Sequence, residues 1–288
     1  MAERLENLVR AELAQPVDPR VSAMAEAIAA LHPGAARAVL FYGSCLRQSE
    51  LDGLMLDFYL IVSDYRDAYR GLWFNLANHL LPPNVFPFAH DGLAAKYAVL
   101  SEADFARLNG PEAGDVSVWA RFAQPSRLVW AADERAREMA VAAVARAAPT
   151  LLAYAQPMAG SGAGALDIWR EGFARTYASE LRAERQERSE SIVDVEPERY
   201  RRFAAAASAA PAARAAQAWR RFRRRGKLLS VLRLAKAATT FAGGADYLAW
   251  KINRHARTRI EVRPWQRRWP ILGALILLPR LLLRGAIR

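Results

Sequence analysis

The chain has 288 residues, 53% of them hydrophobic and 24% charged, with a formal net charge of +12, enough apolar material for a sizeable core without covalent staples. Its one cysteine, Cys45, excludes an internal disulfide, and His32, His79, His90 and His255 are too scattered for a zinc site. The charge is uneven: 21 of the 41 Lys and Arg but two of the 29 acids lie from Arg201 onward, so the earlier part carries −7 and the remainder +19, which predicts an anionic partner for the C-terminal part, a membrane surface or nucleic acid.

The opening "MAERLENLVRAELAQ" mixes acids with bases and has no apolar segment, so it is expected to be a helix of a cytosolic chain rather than a secretory or transit signal. Helix is expected to about Ala36. "AVLFYG" is an apolar run stopped by Gly43, which predicts a buried strand entering a turn. "MLDFYLIV" and "LAAKYAVLS" predict two more strands, and between them "YRDAYRGLWFNLANHLL" has helical spacing and ends at Pro82-Pro83. "SRLVWAAD" predicts a further strand before an Ala-rich helix. Strands interleaved with helices predict an α+β or α/β domain with a mixed sheet over residues 1–155. "QPMAGSGAGALD" has the composition of a linker, followed by a helical domain over 165–226 and a basic amphipathic tail over 227–288.

The chemistry-bearing stretch is "FYGSCLRQSELDGLMLDFYLIVSD", residues 41–64. A glycine lets the backbone approach phosphate oxygens, the following serine adds a hydroxyl, and turn N–H groups make an anion-binding concavity. A carboxylate on the next strand can hold Mg²⁺ against those phosphates. Ser44 and Asp57 supply the two halves of this layout, which a nucleotidyltransferase fold uses for a nucleoside triphosphate. The usual Asp-x-Asp pair of that superfamily is incomplete here, since Met55 and Tyr59 stand two residues either side of Asp57. A tight turn with an acid at a strand mouth is the structural alternative. Cys45 has no base near it in sequence and is expected to be a small packing residue.

Six segments, "FYGSCL", "MLDFYLIVSD", "AAKYAVLSEADF", "VWARFAQPSR", "TYASELRAERQERSESIVD" and "KLLSVLRLAKAATTFAGG", lie within residues 38–244 in an order and spacing that resembles the mitochondrial-type phosphatidate cytidylyltransferases of the translocator assembly and maintenance family. The resemblance implies a nucleotidyltransferase-like N-terminal domain, a helical C-terminal domain, and transfer of a cytidylyl group from CTP to phosphatidate with Mg²⁺. It implies that Tyr42, Gly43 and Ser44 hold CTP phosphates, that Asp57 binds the metal and is catalytic, and that Lys96 meets a phosphate. Arg121 and Arg182 are implied on the nucleotide. Glu180 is implied as catalytic within a Tyr-x-x-acid-x-Arg helix that begins at Tyr177. That family's strand carries a lone Asp, as here, and Asp52, Asp91 and Glu180 are the candidates for a second metal ligand. Glu184, Glu187, Arg185 and Arg188 read as a solvated helix face laced with ion pairs.

In "RRFRRRGKLLSVLRLAKAATTF", from Arg220, bases flank an apolar stripe of Leu228, Val231, Leu232 and Ala235. Such a helix can lie among lipid headgroups, with Lys227, Arg233 and Lys236 reaching phosphates. Trp265, Trp269 and Arg280 extend the expected membrane-binding set. The apolar run from Trp269 to Leu278 is broken by Pro279, short of the roughly 20 residues a spanning helix needs. The alternative for such a helix is docking on its own domain or on a second copy. Nucleic acid is the rival partner for the charge, but a Leu-rich run has no use on RNA. The expectation is a peripheral enzyme on the inner face of the cell membrane, with CTP and phosphatidate or another anionic lipid phosphate as partners. A catalytically degenerate, membrane-docked nucleotide-binding protein and an RNA-modifying transferase are the alternatives.

Overall fold

The computed structural model describes residues 3–48, 50–180 and 192–240, and shows an α+β protein built on one mixed five-stranded sheet. Two helices, α1 (Leu5–Leu13) and α2 (Pro19–Ala30), precede the sheet. Asp18 caps α2 by accepting from the Arg20 backbone N–H, with Pro19 in the first turn, so the expected long N-terminal helix is broken where a capping acid and a proline meet.

Strand β1 (Ala36–Tyr42) runs into a 3₁₀ turn (Ser44–Arg47), and β2 is Met55–Val62. The predicted single helix after β2 is two, α3 (Tyr65–Ala68) and α4 (Leu72–Leu80), separated at Gly71. Strand β3 (Asn84–His90) has no counterpart in the sequence reading. It is the edge strand, which is where a strand tolerates its Pro87. Strand β4 (Leu93–Ser101) matches the expected apolar run. Helices α5 (Glu102–Asn109) and α6 (Trp119–Phe122) lead to β5 (Ser126–Ala131). The Ala-rich stretch forms α7 (Glu134–Ala145) and α8 (Ala147–Ala155), followed by α9 (Ala165–Ser179), α10 (Pro197–Ala206) and α11 (Ala215–Thr240).

The sheet order is β3-β4-β2-β1-β5, parallel between β2 and β4 and antiparallel elsewhere. Alternation along the strands divides the core in two. Leu40, Tyr59, Ile61, Ala98 and Leu100 face one layer with Trp119, Trp169, Phe173, Tyr200, Trp219 and Phe222. Val39, Phe41, Leu56, Phe58, Leu60 and Val99 face the other with Val21, Met24 and Ile28 of α2. The Gly-rich stretch between α8 and α9 is a loop, and helices on both sides of it share the first of these clusters. Helix α11 crosses the end of α9 at Gly226, where a Cβ would collide with the Ser179 carbonyl. No helix among the described residues is long and apolar enough to cross a membrane.

Candidate functional site

Strand register puts the candidate residues together. Tyr42 is the Cα partner of Asp57 across β1 and β2, and Asp57 is the partner of Lys96 across β2 and β4. Tyr42 also pairs with Ser126 of β5, and Lys96 with Pro87 of β3. The result is a row, Ser126–Tyr42–Asp57–Lys96–Pro87, that crosses all five strands near one end of the sheet. By the alternation of each strand, Tyr42, Asp57 and Lys96 share the face that carries Leu40, Tyr59 and Ala98, the face covered by the larger helical layer.

Lys96 Nζ lies 3.0 Å from Asp57 Oδ1, with both side chains about a quarter exposed. The contact lacks hydrogen-bond geometry, and Asp57 Oδ1 is buried without a hydrogen-bond partner. Gly43 bends over the same carboxylate: its φ is 93°, and a Cβ there would stand 3.4 Å from Asp57 Oδ2. The turn therefore passes over the acid, and it is the positive φ rather than lack of space that calls for glycine there. Ser44 is exposed at the start of the 3₁₀ turn, while Cys45 is buried with its Sγ 3.6 Å from the Met55 carbonyl oxygen. Burial, and next the Asp57 charge, push the Cys45 thiol up, which suits the packing role expected of it.

A second pair stands beside the row. Arg121 Nη1 is 3.2 Å from Glu180 Oε1, and Glu180 is nearly buried. The guanidinium also donates to the Ser117 carbonyl, and its charge acts on the Tyr42 hydroxyl. Burial opposes the Arg121 charge, but Glu180 and the Tyr59 and Tyr42 hydroxyls outweigh it and hold Arg121 well above its ordinary value. Tyr42 is in turn raised well above the usual phenol range by burial and next by Asp57. Tyr42 thus connects the Asp57–Lys96 pair to the Arg121–Glu180 pair. Glu180 is not inside a helix as expected; it is the residue that ends α9, in extended conformation. Tyr177, one turn earlier, is partly buried against the larger core. Arg182 lies outside the described residues.

The other acids do not join the row. Asp52 is exposed and paired with Arg20 at 3.0 Å, and Asp91 is in the β3–β4 turn beside His90 at 3.5 Å. Among the described residues no three His, Cys, Asp or Glu side chains form a metal-ligand group. A single carboxylate is still a fit for Mg²⁺, which keeps several waters and takes one or two protein carboxylates plus substrate phosphates. Asp57 Oδ1, ion-paired with Lys96 but without a hydrogen bond, is the atom that fits it.

Residues not anticipated from sequence also surround the turn. Ser126 Oγ, in the row, and Arg127 Nε, next to it, are buried without hydrogen-bond partners, as is the Tyr200 hydroxyl of α10. Burial pulls the Arg127 guanidinium below its ordinary value, against Glu12 and Glu196, which raise it. Arg47, the last residue of the 3₁₀ turn, acts electrostatically on Tyr200. No motif announces a site role for Ser126, Arg127 or Tyr200; the first two were read only as the start of the strand "SRLVWAAD" and as part of the "VWARFAQPSR" segment of the resemblance.

On α11, Lys227 is exposed, but Arg233 and Lys236 turn into the protein. Arg233 donates to the Pro82 carbonyl at 2.9 Å and pairs with buried Asp115 at 3.0 Å. Lys236 donates to the Leu81 carbonyl and, at 3.5 Å, to the Ala77 carbonyl. Burial, and next the Arg233 charge, lower the Lys236 pKa to about 7. Trp265, Trp269 and Arg280 lie outside the described residues. Compared with known proteins, the chain matches no family model and no curated protein.

Proposed function

We propose that the protein is a nucleotidyltransferase that transfers a cytidylyl group from CTP to phosphatidate at a membrane surface, giving CDP-diacylglycerol and pyrophosphate. The observation that carries this reading is the alignment of Tyr42, Asp57 and Lys96 in adjacent strands beneath a glycine that can approach the acid. In the free protein Lys96 and Asp57 neutralise each other. An incoming triphosphate takes Lys96 through its phosphate oxygens and frees the Asp57 carboxylate. Gly43 and Ser44 present backbone N–H groups and a hydroxyl to the same phosphates. Asp57 would hold Mg²⁺, which neutralises charge on the phosphates.

The reaction needs one bond made and one broken. A phosphatidate oxygen attacks the α-phosphorus of CTP, and the bond from that phosphorus to the bridging oxygen breaks, so the electron pair leaves with pyrophosphate. Lys96 and the turn hold the triphosphate. Arg121, kept charged and oriented by Glu180 beside Tyr42, holds the second phosphate in line. Charge neutralisation and positioning account for the catalysis, with no covalent intermediate on the chain.

A second reading is favoured by one observation, that Asp57 is the single acid in the row. On it the protein is membrane-docked and binds nucleotide without transfer. The separating experiment follows radiolabelled CTP into lipid-extractable product on phosphatidate-containing liposomes with Mg²⁺, for the wild type and Asp57→Asn. The first reading expects product from the wild type and a loss of at least about a hundredfold in the variant. Nucleotide binding with no product from either protein leaves the second reading.

A further inference from the structure

Helix α4 is built inside out. At about 100° per residue, Leu72, Leu76, Leu80 and Trp73 fall on one stripe about 100° wide, and these are exposed at 86%, 55%, 75% and 58%. The opposite side carries Asn78, fully buried, whose amide donates to the Val99 carbonyl at 2.9 Å and whose oxygen accepts from the Asn84 backbone N–H. A surface helix of a globular protein does the reverse. The stripe has neighbours. Lys236 of α11 meets the Ala77 and Leu81 carbonyls at the end of α4, and Arg233 meets Pro82 just beyond it. One turn before Lys236, Leu232 is 44% exposed, and a turn earlier Leu228 is 59% exposed. Leu228 and Leu232 lie on the helical face of α11 that also carries Lys236, so two exposed apolar faces flank the point where α11 grips the end of α4.

Charge selects the occupant. Helix α11 has eight Lys and Arg and no acid, and Arg223, Arg224 and Lys227 are exposed beside Leu228. A second copy seated here would bring two such helices together. The chain's own residues 241–288 hold ten Lys and Arg against two acids, so they meet the same repulsion. A nucleic acid would satisfy the charge but leave the leucines in water. An anionic lipid surface satisfies both, taking Leu and Trp side chains into the acyl boundary while the bases reach headgroup phosphates. We propose that the exposed stripe of α4, together with Leu228 and Leu232, inserts into anionic membranes. The proposal deepens the membrane-surface part of the reading above and rests on it, but insertion requires no turnover, so docking and transfer can be tested apart.

The test uses the full chain with Leu76→Cys carrying an environment-sensitive fluorophore; Cys45 is buried and stays unlabelled. Equimolar phosphatidylcholine and phosphatidylglycerol vesicles are expected to blue-shift the emission, and doxyl-labelled lipid to quench it, while phosphatidylcholine alone has little effect. In parallel, the Leu72→Gln and Leu76→Gln double variant is expected to sediment with anionic vesicles about tenfold less than the wild type, with an unchanged circular dichroism spectrum. Emission already blue-shifted before vesicles are added would mean that the chain's own C-terminal residues or a second copy cover the stripe, and would overturn the proposal. So would a shift with anionic vesicles that lipid-borne quencher does not reach. Vesicle docking without CTP turnover would sink the catalytic reading alone, and turnover of short-chain phosphatidate by a protein that fails to dock would sink this one alone.

Discussion

Gly43 carries a backbone constraint and a proposed ligand role, and the two separate in experiment. Its φ of 93° with ψ of −166° is a region of backbone space open essentially to glycine, while a methyl there would meet an Asp57 carboxylate oxygen at 3.4 Å, an ordinary contact. Gly43→Ala is therefore expected to cost about 1–3 kcal/mol of stability, read as a lower urea midpoint, and to weaken CTP binding as well. A stability loss with unchanged nucleotide affinity would show that the turn does not serve the ligand. Of the site, Gly43, Ser44 and Asp57 could be picked from sequence because they sit in or beside short apolar runs that fix a turn and a strand, while Tyr42 and Lys96 came only through the family resemblance. What could not be read was their alignment, which is a matter of strand register. Ser126, Arg127 and Tyr200 escaped altogether, since an orphaned polar atom is a property of three-dimensional packing.

Strands β2 and β4 were legible because both are central and largely buried on two faces, which gives apolar runs broken only by Asp57 and Lys96. Strand β3 was not, because an edge strand can carry proline and alternate exposed with half-buried residues. Helices α1 and α10 are joined by a feature that sequence could not reveal, the ion pair of Glu12 with Arg199, in which both side chains are less than a tenth exposed. Arg199 lies over the Phe203 ring, 4.1 Å from its centroid, and donates to the Ala123 carbonyl. Glu12→Ala leaves that guanidinium buried without its carboxylate, and the expected loss is about 3–5 kcal/mol in urea unfolding. Helix α11 makes a different prediction. The Lys236 pKa is lowered to about 7 by burial and by Arg233, so the folded protein binds fewer protons than the unfolded chain above that value. Stability is accordingly expected to rise as pH increases from about 7 toward the ordinary lysine range. Lys236→Met should flatten that slope, and an equal slope in both proteins would show that the ammonium is solvated.

At the scale of the whole molecule, charge and apolar surface are arranged together. The excess of Lys and Arg after residue 200 was plain in the sequence, and the apolar spacing of α4 was visible too, but nothing in the sequence said that its leucines would face outward. Spacing shows that a helix is amphipathic; only the position of Asn78 against β3 and β4 tells which side is in. Two anchors now define the setting of α11: contact with the Ser179 backbone at Gly226, immediately before Glu180, and the grip of Lys236 on the carbonyls that end α4. Ten residues of helix separate them, about 15 Å. That interval acts as a strut whose length is set by residue count. On a bilayer it would fix the altitude of the Arg121–Glu180 pair above the headgroups, so that inserting or deleting a single turn between Gly226 and Arg233 would raise or lower the site relative to a lipid phosphate whose own height is given by the membrane.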